Sequence, residues 1–110
     1  MPVWKSTPVE KAPELRLARW SVREVQPGAT RHLVGYNTTL REGRVSSRIT
    51  AFDEERHRAM TESGRVYELA GRPGHDSDAE YVWQRWLSYM GDVTWSDVTH
   101  EYVPRVAEEE

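Results

Sequence analysis

Six consecutive residues, His75-Asp76-Ser77-Asp78-Ala79-Glu80, gather a base, a hydroxyl and three carboxylates, the group types that hydrolysis or metal binding would use. The same acids and serine also suit the start of a helix. Side-chain oxygens there satisfy free backbone N–H groups, and negative charge meets the positive end of the helix dipole. A site built on His75, Asp76 and Asp78 therefore competes with a capping sequence, and capping is the simpler reading. The histidines His32, His57, His75 and His100 lack the i, i+4 pairing or paired spacing of a metal centre. The chain has no cysteine, so thiolate chemistry and disulfides are excluded. It also has no Gly-x-Ser-x-Gly elbow, Gly-x-x-x-x-Gly-Lys phosphate loop or Gly-x-Gly-x-x-Gly motif. These residues argue for no catalytic centre, no metal and no cofactor.

Arginine carries the second kind of chemistry. Between Arg16 and Arg72 there are eleven arginines and no lysine against seven acids. From Pro73 onward, nine acids face only Arg85 and Arg105, and the whole chain has a net charge of −3. Arginine makes bidentate contacts with phosphate and carboxylate, so a basic body beside an acidic third suits a polyanion or a charged protein. Val45 to Phe52 alternates like a strand, with Val45, Ser47, Ile49 and Ala51 expected on one face. Arg44 and Arg48 would then project together on the other, with Arg41 in the adjoining loop. Such a stripe would be a nucleic-acid platform, although Phe52 is the only aromatic near it for stacking bases. Acids on neighbouring strands, such as Glu68, would neutralise it.

Aromatic residues are the third resource. Five Trp and five Tyr offset an apolar fraction of only 37%. Trp83 and Trp86 fit the buried stripe of a helix, whereas Tyr81, Tyr89 and Trp95 do not fit a core pattern. Exposed aromatics accompanied by arginine are common anchors of protein interfaces, which makes these three candidate binding residues.

The elements that must position these groups follow from periodicity and turn signals. Leu15 and Leu17 alternate with Arg16, and Trp20 and Val22 alternate with Ser21. The change of parity between the two pairs predicts a bulge or two short strands. Pro27-Gly28 marks a turn, His32 to Tyr36 a strand, and Gly35 a place where a neighbour approaches closely. Further strands are expected at Val45 to Phe52, His57 to Thr61 and Arg65 to Leu69, with a last one between Asp92 and Tyr102. Ser77 and Glu80 form a Ser-x-x-Glu capping pattern, and Ala79, Val82, Trp83, Trp86, Leu87 and Met90 follow at helical spacing up to Gly91. The fold class is α+β: a curved, mainly antiparallel sheet of five or six strands, able to close into a partly open small barrel, with one amphipathic helix near the C-terminus. Residues 15–105 form one domain. A proline-bearing arm, including Trp4, precedes it at 1–14, and an acidic tail follows at 106–110. No apolar stretch is long enough for a signal peptide or membrane span, so a cytoplasmic setting without membrane contact is expected.

Four strings resemble a known group: His32-Leu-Val-Gly-Tyr, Glu42-Gly-Arg-Val-Ser-Ser-Arg-Ile, Ser63-Gly-Arg-Val-Tyr-Glu-Leu and Glu80-Tyr-Val-Trp-Gln-Arg-Trp. They are similar to short uncharacterised proteins carried by proteobacterial plasmids, integrative elements and phages, over about His32 to Trp86. The resemblance implies a mobile-element context and no activity. In that context small proteins without enzymatic motifs often inhibit host defence, anti-CRISPR proteins among them. The expected function is a non-catalytic binding protein acting on a protein partner. The alternative is a nucleic-acid-binding domain using Arg41, Arg44 and Arg48.

Overall fold

A computed structural model of the chain describes residues 14–103. The expected arm with Trp4 and the acidic tail lie outside the described residues. The spine is β1 (Glu14–Gln26), whose apolar residues change parity halfway: Leu15 and Leu17, then Trp20 and Val22, all pack into one cluster. A bulge makes this continuous. The register with β2 (Thr30–Asn37) shifts between Ala18 and Ser21, and Arg19 takes a φ of +47°. Gly35 is the close approach that the sequence predicts. A Cβ there would lie 3.1 Å from the Cα of Trp20, so glycine lets the indole-bearing strand pass.

The chain continues through β3 (Glu42–Asp53), β4 (Arg58–Thr61) and β5 (Val66–Ala70). Neighbouring strands pair antiparallel, and β5 then returns to lie parallel to the first half of β1. The five strands thereby close into a ring, though not a regular barrel. After the helix α1 (Ser77–Met90), β6 (Thr94–Asp97) pairs antiparallel with the second half of β1. Between β5 and β6 the edge of β1 is sealed by loops: Gly74 N–H donates to Trp20 C=O and Val98 N–H to Val22 C=O.

Two apolar clusters result. Leu15, Leu17, Trp20, Val22, Leu33, Ala59, Tyr67 and Leu69 fill the ring, with Ile49 and Phe52 against them. Val25, Val34 and Val45 lie on the outside of the sheet under Ala79 and Trp83 of α1. Val82, Trp86 and Leu87 flank this second cluster, so the helix residues expected in the core do pack there.

Three details differ from the sequence reading. The N-cap is Asp76, whose carboxylate accepts from Ala79 N–H at 3.0 Å, so Ser77 is already helical and Glu80 is released for another task. β3 carries two irregularities, one opposite His32–Val34 and one between Ile49 and Ala51. Strict alternation therefore fails: Val45 faces the helix, Ile49 and Phe52 face the ring, and Ala51 is exposed. The last strand stops at Asp97, and Thr99–Glu101 forms a 3₁₀ turn instead.

Candidate functional site

The helix is fastened to the sheet at three points, which makes its outward face a fixed platform. At its start the Asp76 carboxylate, besides capping, takes an ion pair from Arg19 at 2.9 Å. Beneath the first turn lies Gly43 of β3. Any Cβ there would fall 2.5 Å from the Asp78 carbonyl group, so only glycine admits the helix at this height. The third point is Arg23, which is 1% exposed although it is a charged residue. Its guanidinium donates to both carboxylate oxygens of Glu80, and its Nε donates to Ser21 Oγ at 3.2 Å. It also lies 5.2 Å from the Trp83 ring and 4.8 Å from the Trp95 ring.

Around this ion pair the aromatic residues form a continuous chain. Trp83 stacks on Trp86 at 5.1 Å and meets the edge of Trp95 at 5.3 Å, while Trp86 lies 4.7 Å from His32. The indole N–H of Trp83 is buried without an acceptor among the described residues, and ring packing holds it there. His32 is buried too, bridging Ser46 C=O and Thr30 Oγ1. Burial pushes its pKa below the ordinary histidine value, against the opposing pull of the Ser46 carbonyl.

Every exposed aromatic side chain among the described residues belongs to α1 or β6. Tyr81 is 62% exposed, Tyr89 59% and Trp95 40%. Tyr81, Arg85 and Tyr89 stand four residues apart, which aligns them along one side of the helix, away from Ala79 and Trp83. Arg85 donates to the Tyr81 hydroxyl at 3.2 Å and has no carboxylate within ion-pair distance among the described residues. Trp95 is set apart from this stripe, at the flank of the helix against Trp83. The three candidates are thus all exposed, as a tyrosine–arginine stripe on the outer side of α1 and a separate indole at its flank.

The arginine stripe expected on β3 does not form. Arg44 turns into the ring and is buried, donating from Nε to the Tyr67 hydroxyl at 3.2 Å and pairing with Glu42 at 3.2 Å. Arg48 lies on the surface and pairs with Glu62 at 3.6 Å, while Arg41 sits in the β2–β3 turn with a φ of +60°. The bulges in β3 cause the separation. The neutralising acids are Glu42 and Glu62; Glu68 instead lies in register with Arg16 and Arg58. Arg31 is also engaged, with Glu24 and Glu101 at 2.9 Å and the Tyr102 hydroxyl at 3.2 Å.

No family model, curated protein or solved structure matches this chain.

The His75–Glu80 run does not assemble a reaction centre. Asp76 is saturated by the helix cap and Arg19, Glu80 is taken by Arg23, and His75 and Asp78 point into solvent. No three His, Asp or Glu side chains converge as a metal site among the described residues. No helix there is long and apolar enough to cross a membrane. Arg23 and His32 are the site residues that sequence reasoning missed. Around Arg23 both faces of β1 are covered, Trp20 to Arg23 all being buried, so alternation gives no signal for it.

Proposed function

We propose that this protein is a non-catalytic binding protein that engages a protein partner through the surface formed by α1 and β6. The observation that carries this reading is that, among the described residues, the exposed aromatics are confined to those two elements, with Arg85 between two tyrosines and no carboxylate there within ion-pair distance of it. Tyrosine, tryptophan and arginine together supply large contact area at little entropic cost and a donor fork for a partner's carboxylate. The platform beneath is held by Asp76, Gly43 and the Arg23–Glu80 pair, so little ordering is required on binding.

Nucleic-acid binding through Arg41, Arg44 and Arg48 lacks the geometry it needs, since Arg44 is inside the ring and Arg48 is paired. A mobile-element role as a defence inhibitor is supported by the sequence resemblance alone, and the same surface would serve it.

The test is capture from bacterial lysate by the tagged full chain, with nuclease added, using wild type beside Tyr81→Ser/Arg85→Glu and Arg16→Glu/Arg41→Glu. The reading expects a protein retained after nuclease, lost with the helix variant and kept with the arginine variant. Capture that disappears with nuclease, or that only the Arg16/Arg41 change abolishes, contradicts it.

A further inference from the structure

Each ring strand has a neighbour on both sides over part of its length, β3 pairing with β2 over Glu42–Arg48 and with β4 over Ile49–Asp53, whereas β6 pairs with β1 alone and leaves its whole outer edge open among the described residues. The register fixes which backbone groups face that opening. Val98 N–H donates to Val22 C=O, while Arg23 lies opposite Asp97 and Val25 opposite Trp95. Bonded and non-bonded pairs alternate in an antiparallel ladder. Thr94 and Ser96 therefore turn their N–H and C=O groups to β1, and Trp95 and Asp97 turn theirs outward. All four residues of β6 are exposed. The edge carries no lysine, proline or bulge; its four-residue length and Asp97 are the only devices against strand addition that it has.

The charge around the edge selects the occupant. Asp92 and Asp97 flank or sit on β6, Glu24 lies opposite Ser96 and is paired with Arg31, and Glu80 and Glu101 are paired with Arg23 and Arg31. Against these five carboxylates stand the guanidiniums of Arg23 and Arg31. Two copies of this chain meeting edge to edge would oppose like charges, whereas a cationic strand would be attracted. Trp95 adds a partly exposed ring that a lysine or arginine of the incoming strand can cover.

We propose that β6 accepts an extended, lysine- or arginine-bearing segment of a partner protein as an added strand. This rests on the protein-binding reading and names the partner's chemistry.

The test uses the full ¹⁵N-labelled chain titrated with three short blocked peptides: alternating lysine and threonine, alternating glutamate and threonine, and the lysine peptide with prolines replacing alternate threonines. The lysine–threonine peptide should shift the amide signals of Thr94–Asp97 and slow exchange at Trp95 and Asp97. The other two should not. Trp95→Lys should weaken the first peptide by at least about tenfold, because an edge lysine both blocks pairing and repels it. The peptide comparison runs on wild type, so it stands even if that variant fails to fold. Unmoved β6 signals, equal binding of the proline peptide, or concentration-dependent self-pairing through β6 would overturn the proposal. If β6 stays silent while Tyr81→Ser/Arg85→Glu abolishes partner capture, this proposal fails and the protein-binding reading survives. If capture also ignores the helix variant, both fail.

Discussion

Arg23 on β1 and Glu80 on α1 form a two-pronged ion pair across the helix–sheet junction, with the arginine buried and the Glu80 side chain 36% exposed. Removing the acid strands a guanidinium that water cannot reach, whereas replacing the arginine with an apolar residue of similar length leaves only a half-solvated carboxylate. Breaking a fully buried pair costs about 3–5 kcal/mol, and the exposure of Glu80 lowers the expectation for Glu80→Ala to roughly 2–4 kcal/mol. Arg23→Met should cost less. Urea unfolding of both variants followed by tryptophan fluorescence checks the order.

Gly43 tests the height of the helix. Gly43→Ala places a methyl 2.5 Å from the Asp78 carbonyl group, which forces α1 off β3. A loss of about 1–3 kcal/mol or more is expected for such overpacking. Gly74→Ala is the control, since its Cβ would meet Arg19 at an ordinary 3.5 Å. Thermal melts should separate the two; equal melting temperatures would contradict the packing.

His32 sets a pH dependence. Its folded pKa lies below the ordinary value because burial disfavours the cation, and this outweighs the opposing pull of the Ser46 carbonyl and of Glu62. The unfolded chain then binds the proton more readily than the folded one, so stability rises with pH in this range. The contribution is complete above the unfolded value of about 6.5 and is lost as pH falls from there toward the folded value. His32→Gln should therefore show a shallower fall in urea midpoint between neutral and mildly acidic pH than wild type. Parallel curves would contradict the assignment.

Arg44 and Arg48, four residues apart on one strand, should behave as different kinds of residue. Arg48→Glu alters a half-exposed ion pair and should change stability by no more than about 1 kcal/mol. Arg44→Glu places an acid beside Glu42 and removes the bond to Tyr67 inside the ring, which should cost several times as much. Similar melting temperatures for the two would restore the idea of a shared face.

Much of this architecture is legible in the residue pattern. The parity change between Leu17 and Trp20 marks the β1 bulge, Gly35 marks the passage of Trp20, and the spacing from Ala79 to Met90 marks the helix. What was hidden has a common cause. In β3 the residues around the irregularities are small or polar, so a run that reads as alternating does not reveal where two residues oppose one. The first irregularity, after Val45, parts Arg48 from the face of Arg44, and Arg44 turns into the ring because Val45 beside it packs under the helix. The parallel return of β5 to β1 and the Arg23–Glu80 pair join residues about fifty apart or more, a separation at which local pattern carries no signal. Tyr81, Tyr89 and Trp95 were legible as residues unexplained by a core, and all three are exposed.

The most direct measurement is hydrogen exchange, read by mass spectrometry, on the full chain alone and in complex with the protein it captures. A binding surface on α1 and β6 predicts that added protection falls within residues 77–97, with Trp95 and Asp97 among the slowed amides. Protection concentrated instead on the turn bearing Arg41 and the loop bearing Arg72, with α1 and β6 unchanged, would contradict it.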